Sequence, residues 1–368
     1  MTPLAERVAR LIEASGPIGV ADYMMLCLFD PAYGYYTTRE PFGAGGDFTT
    51  APEISQMFGE LIGVWTYQTW QSAGKPDPIV IAEIGPGRGT LMKDLLRTLG
   101  KLDPSLAHSA RFALVETSPR LTEIQKQTLG RAEAQITWRT SIETIPPHPL
   151  ILVGNELFDA LPIRQYVKTP AGWRERVVGL DKNGGLALMA GPGAPDEALL
   201  PPDAVTAPEG AIVELAPART ALMETIGHRL AGHGGAALFI DYGHAEPGIG
   251  DTLQALRRHE YDDVLAHPGE ADLTAHVDFA ALAAVARSQG LTTSVTTQGD
   301  FLLRMGLLER AGALGASGDE TLRDKLRSEV ERLAGPGATG GMGELFKVLE
   351  ITALRPWIRP EGKPKIRH

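Results

Sequence analysis

The sequence predicts an α/β fold: a mostly parallel, Rossmann-like sheet, with an N-terminal helical region before it and α/β segments inserted into it. Three observations carry this. From residue 76 onward, apolar runs bounded by turn residues alternate with helical segments, the pattern of a parallel sheet covered on both faces. The first run, Ile79-Val80-Ile81-Ala82, leads straight into a glycine-rich turn and then a helical repeat. Residues 1–75 instead read as helical, broken by one long irregular stretch.

Taken in order, Leu4, Val8, Leu11 and Ile12 recur at helical spacing with Glu6 and Glu13 between them. That is an ordinary amphipathic helix and no secretory signal. Residues 30–53 are rich in Gly, Pro, Thr and Tyr, a composition that resists regular structure and suits a lid-like loop. After Gly74-Lys75-Pro76-Asp77-Pro78 the sheet begins. Leu91, Met92, Leu95, Leu96 and Leu99 fall on one helix face, with Lys93, Asp94 and Arg97 opposite. Phe112 to Val115 predicts a second strand ending at Glu116, and Ser118-Pro119 opens a helix as N-cap and first helical residue. Gln135 to Trp138, Leu150 to Val153 and Ala236 to Ile240 read as further strands. The segment 161–215 is an insertion, with antiparallel strands expected around Asn183-Gly184-Gly185. Strands are expected at 291–297 and 345–351, around a second insertion at 301–343 that contains a helical pair. The domain reading is therefore a helical region at 1–75, a core at 76–352 and a basic tail at 353–368.

The 368 residues carry a net charge of −10, which argues against general nucleic-acid affinity and is compatible with a basic protein substrate. Cys27 is the only cysteine, so an internal disulfide is excluded, and its apolar neighbours predict a buried structural thiol. No apolar run is long enough to span a membrane. The expectation is a cytoplasmic chain, with a homodimer through the 161–215 insertion or the early helices as its candidate assembly.

The glycine turn is Glu83-Ile84-Gly85-Pro86-Gly87-Arg88-Gly89. Glycine permits a tight turn and close backbone approach to a ligand, and the following helix offers free N–H groups. A dinucleotide fingerprint needs a third glycine at position 90, which is Thr90. The spacing G-x-G-x-G, with an acid before it and Glu116 ending the second strand, instead predicts an S-adenosylmethionine (SAM) site. Gly85, Gly87 and Gly89 would form the turn, Glu83 would organise the amino group, Glu116 would grip ribose hydroxyls, and Ser118 lies beside them.

Further motifs narrow the reading. Gly154-Asn155-Glu156-Leu157-Phe158-Asp159-Ala160-Leu161-Pro162 resembles the signature of the MidA-like methyltransferases, a group that includes a mitochondrial assembly factor methylating an arginine of a respiratory complex I subunit. Asp30 to Tyr36, Gly46 to Ser55, Asp241-Tyr242-Gly243 and Gly269 to Asp278 match it in order, so the resemblance covers nearly the whole chain. It implies a SAM-dependent methyltransferase acting on protein arginine, with a role in complex I assembly.

Methyl transfer to a guanidinium needs carboxylates that orient its planar donors and localise its charge. Glu156 and Asp159 are the candidates; a helical turn after Asn155 would put both on one side. The alternatives are a local cap for Glu156 and a turn-orienting role for Asp159. Asn155 stands where an amide can hold the acceptor nitrogen, or simply forms a turn. Asp47, Thr50 and Glu53 are on the lid-like loop, Thr50 as a candidate cofactor contact; a helix starting at Pro52-Glu53 is the alternative. Tyr242 and His244 follow a strand and could reach the substrate. Leu273 to Asp278 reads as a helix start capped by Thr274, which outweighs a metal reading of Asp272, His276 and Asp278. Two other functions use the same loop: methylation of a small molecule or another side chain, and SAM binding by a non-catalytic assembly factor.

Overall fold

The computed structural model describes residues 2–38, 50–130, 132 and 134–353. Residues 39–49 of the lid-like loop, Asp47 among them, lie outside the described residues, as does nearly all of the basic tail. The chain divides into two compact units, each built from separated stretches. One comprises residues 51–155, 223–241 and 283–368; the other comprises 1–50, 156–222 and 242–282. The sequence-based boundary at residue 75 falls inside the first of these.

The first unit carries the predicted sheet. Helix α1 (Gln56–Ser72) precedes β1 (Val80–Ile84), α2 (Thr90–Leu102), β2 (Arg111–Val115), α3 (Pro119–Leu129) and β3 (Gln135–Arg139). Then come β4 (Leu150–Asn155), β5 (Gly235–His244, its last three residues counted in the other unit), β6 (Leu291–Thr297) and β7 (Phe346–Ala353). The strand order is β6-β7-β5-β4-β1-β2-β3. Strands β3, β2, β1, β4 and β5 run parallel, and β6 is antiparallel to β7. The order reverses between β1 and β4, where a crevice opens outside the strand carboxyl ends in folds of this type. Every residue of β1 and β4 is buried, as continuous apolar runs require.

The apolar face of α2 is realised: Leu91, Met92, Leu95, Leu96 and Leu99 are all buried. Asp94 departs from its expected exposed face. It is buried beneath α1 and paired with Arg97 at 3.0 Å, and desolvation pushes its carboxyl up to about 6. The expected helix from Pro52 is broken into Ala51–Ile54 and α1, because the Ser55 side chain caps α1 by accepting from Met57 N–H. The second insertion holds three helices rather than a pair: α4 (Gln298–Arg304), α5 (Leu307–Gly315) and α6 (Glu320–Ala334).

The second unit combines helices Pro3–Ser15 and Val20–Phe29 with antiparallel strands. Gly172–Leu180 pairs with Arg164–Thr169, Leu186–Ala190 and Ile18–Gly19, and Ile212–Leu215 flanks 164–169. The turn at Asp181 to Gly185 joins two of these strands as the sequence predicts. Leu4, Val8, Met24, Leu28 and Val178 share its core with Cys27, whose thiol is pushed up to about 12 by burial. The helix expected from Thr274 is not formed there. Asp272–Thr274 pairs with Gln254–Leu256 as a strand, and the helix begins at Phe279, where Asp278 accepts from Ala281 N–H. A partner 16–20 residues away in sequence satisfies this backbone, which local pattern does not reveal. Among the described residues, no helix is long and apolar enough to cross a membrane.

Candidate cofactor and acceptor residues

The glycine turn leaves β1 on the carboxyl edge of the sheet. Gly85, Gly87 and Gly89 have φ of 66°, 50° and 82°, the left-handed region that side chains resist. Gly89 is the N-cap of α2, so the first N–H groups of that helix lie at the end of the turn. Thr90 opens α2 and donates its hydroxyl to Glu53 at 2.5 Å, which ties the 51–54 helix to the same corner.

Glu83 is buried at the end of β1, where one oxygen accepts from the Met92 backbone N–H. Its Oε2 has no hydrogen-bond partner among the described residues. Burial, with Glu116 nearby, pushes its carboxyl up to about 8, against the opposing pull of the Met92 bond. Glu116 follows β2, and both its oxygens are engaged. Oε1 accepts from Ser118 N–H at 2.8 Å and Oε2 from the Gln125 amide at 3.0 Å. Burial raises its pKa, and those hydrogen bonds offset the rise. The Ser118 hydroxyl caps α3 by accepting from Leu121 N–H. Asn155 ends β4 and is buried beside the β1 edge, since Gly154 pairs with Ile84. The sheet thus brings Glu83, the three glycines, Glu116, Ser118 and Asn155 to one carboxyl edge.

These residues fit the ligand expected from the sequence. A buried acid with an unsatisfied oxygen suits an ammonium, a fixed second acid suits paired hydroxyls, and the open backbone admits close approach. Sequence reasoning missed Gln125 and Trp138, because neither belongs to a motif and both act through tertiary contacts.

The remaining candidates belong to the other unit. The helical turn after Asn155 that would put Glu156 and Asp159 on one side is not formed: Glu156 has φ of 51° and sits in a bend. A glutamate held in this region stores backbone strain of a kind that clusters at functional sites. Asp159 is buried, and its Oδ1 accepts from Ala160 N–H at 2.9 Å. Desolvation pushes Asp159 up to about 6, against the pull of Arg219 and a hydrogen bond with Tyr242. Arg219, also buried, donates to the backbone carbonyls of His276 (2.6 Å), Ala275 (3.0 Å) and Asp159 (3.2 Å). Tyr242 stacks edge-on against His276 at 5.3 Å, and Tyr36 bonds to Asp272. His244 is held in a local turn by the Glu246 carbonyl, and Thr50 is half-buried.

A family model for S-adenosyl-L-methionine-dependent methyltransferases matches residues 61–297. The chain is 36% identical to the zebrafish (Danio rerio) mitochondrial protein arginine methyltransferase NDUFAF7, over 95% of this chain and 88% of that one. It is 35% identical to the human protein of the same name, over 98% and 85%. A superfamily member from Burkholderia thailandensis, solved bound to S-adenosyl-homocysteine, superposes with a TM-score of 0.83 at 30% identity, covering 97% and 92% of the two chains. The relatives' names overturn the cytoplasmic placement expected from the sequence, because the curated relatives are described as mitochondrial. The glycine turn and its acids therefore stand in a matched family, and the chain belongs to the S-adenosyl-L-methionine-dependent methyltransferases.

Proposed function

We propose that the chain transfers a methyl group from SAM to an arginine side chain of a protein substrate. The observation that carries this is its similarity, over nearly its whole length, to curated protein arginine methyltransferases. SAM supplies an electrophilic methyl carbon on a sulfonium, and the chain supplies alignment and a suitable charge environment. In this reading Glu83 accepts from the ligand amino group, Glu116 accepts from ribose hydroxyls, and Gly85, Gly87 and Gly89 give room for close backbone approach. Ser118 and Thr50 complete the cofactor contacts. Glu156 and Asp159 orient the guanidinium donors and localise their charge, and Asn155 holds the acceptor nitrogen.

The identity of the protein substrate as a respiratory complex I subunit follows from the family resemblance in the sequence motifs. A homodimer belongs to the same reading, with the 161–215 insertion or the early helices as its face. The test is Glu156→Gln, assayed for both steps. Binding of S-adenosyl-homocysteine (SAH) should stay near wild type while methyl transfer falls by about 100-fold or more, the scale of losing one aligned charged group. Turnover that survives the change removes Glu156 from the orientation of the guanidinium.

A further inference from the structure

Resting on the same reading of the cofactor turn, we propose that Gln125 is a positioning residue that fixes the cofactor site by tying its two halves together. Gln125 is wholly buried on α3. Its Nε2 donates to the Gly87 carbonyl at 2.8 Å and to Glu116 Oε2 at 3.0 Å. Its Oε1 accepts from the Trp138 indole N–H at 3.1 Å. An indole nitrogen only donates, so the amide can face one way: the oxygen towards β3, and both protons towards the turn and the acid.

The side chain is saturated in this orientation, and its partners do not duplicate one another. One anchors the middle of the glycine turn and the other is the acid ending the neighbouring strand. The stem reinforces the link: a Cβ on Gly89 would stand 3.5 Å from Gln125 Cγ and 3.6 Å from its Cα. Gln125 therefore bonds the turn at Gly87 and lies where a side chain at position 89 would meet its stem. Glu116 is held from both sides, by Gln125 on Oε2 and by Ser118 N–H on Oε1. Its carboxylate then has one orientation before any ligand arrives, so binding need not order it.

The experiment is SAH titration calorimetry on purified Gln125→Leu, with steady-state kinetics in SAM and a melting curve. Loss of two oriented donors, one to a carboxylate, should raise the SAH Kd and the SAM KM by about 10- to 100-fold. At saturating SAM, kcat should stay within about threefold, since binding pays for the ordering that the glutamine supplied in advance. Gln125→Glu, isosteric but unable to donate and facing Glu116 with a like charge, should bind as weakly or more weakly. A folded Gln125→Leu protein whose SAH Kd is within about twofold of wild type overturns the proposal; so does a proportional fall of kcat with melting temperature and no change in KM. Should Gln125→Leu not fold, Trp138→Phe carries the test, because it removes the donor that anchors Gln125 Oε1. Weakening of about threefold or more supports the proposal, and an unchanged Kd overturns it. Gly87→Val run alongside separates the two readings. Wild-type binding by that variant removes the turn as the cofactor site, whereas lost binding beside an unaffected Gln125→Leu removes only the positioning role.

Discussion

Glu83 concentrates the electrostatics of the site in one side chain. It is buried, one oxygen is held by Met92 N–H, and the other has no hydrogen-bond partner among the described residues. Its carboxyl is raised from 4.5 to about 8, so the fold favours the protonated form. The contribution of Glu83 to stability is therefore complete below pH 4.5 and is lost as the pH rises through about 8. A ligand ammonium reverses that preference by favouring the carboxylate. The ratio of SAH Kd values for Glu83→Gln and wild type should therefore climb as pH rises towards about 8, then level off. Titration of the ligand itself cancels in the ratio. A flat ratio across that range would show that Glu83 does not meet the amino group.

This residue was legible from its place before the glycine turn. Gln125 was not, because its three partners come from residues 87, 116 and 138 and meet only in the folded sheet. The strain at Glu156 was likewise invisible, since nothing in Asn155-Glu156-Leu157 signals a left-handed backbone as a glycine would.

At the scale of elements, α1 and α2 approach through a seam of two glycines. A Cβ on Gly59 would stand 2.6 Å from Asp94 Cβ, and one on Gly63 would stand 2.9 Å from Thr98 Cβ. The four-residue spacing puts both on one face of α1, and the matching spacing of Asp94 and Thr98 forms the facing ridge. Around it, Glu60 pairs with Arg97 at 3.0 Å and with Arg310 of α5 at 2.7 Å. The seam sets the position of α2, whose first residue follows the cofactor turn. Gly63→Ala should lower stability by about 1–3 kcal/mol through overpacking, read by chemical denaturation. Gly100, on the same α2 but with open space where its Cβ would stand, is the control. Gly100→Ala should be neutral or stabilising by up to about 1 kcal/mol, as alanine is the better helix former. Equal effects at both positions would remove the seam as a determinant of packing. The apolar strands and the face of α2 were readable because their period depends only on local sequence. The strand at Asp272–Thr274 was misread as a helix start because its pairing depends on Gln254–Leu256.

For the whole molecule, the chain builds its two units from three stretches each. The signature at Asn155-Glu156 straddles a division, with Asn155 ending β4 and Glu156 opening a stretch of the other unit. A reading that moves along the sequence marks one boundary where composition changes, and this interleaving does not change composition. The sheet was nonetheless accessible from its apolar runs, and the family from the resemblance carried by Gly154 to Pro162 and the other motifs. Cellular placement was not: the curated relatives are described as mitochondrial, which contradicts the cytoplasmic expectation. The central claim is that the methyl group ends on protein arginine. The measurement is incubation of the purified chain with methyl-labelled SAM and a lysate from cells lacking it, followed by amino-acid analysis of the labelled protein. Label should be recovered as methylarginine, and should be absent with the Glu156→Gln variant. Label confined to small molecules, or to another side chain, would contradict it.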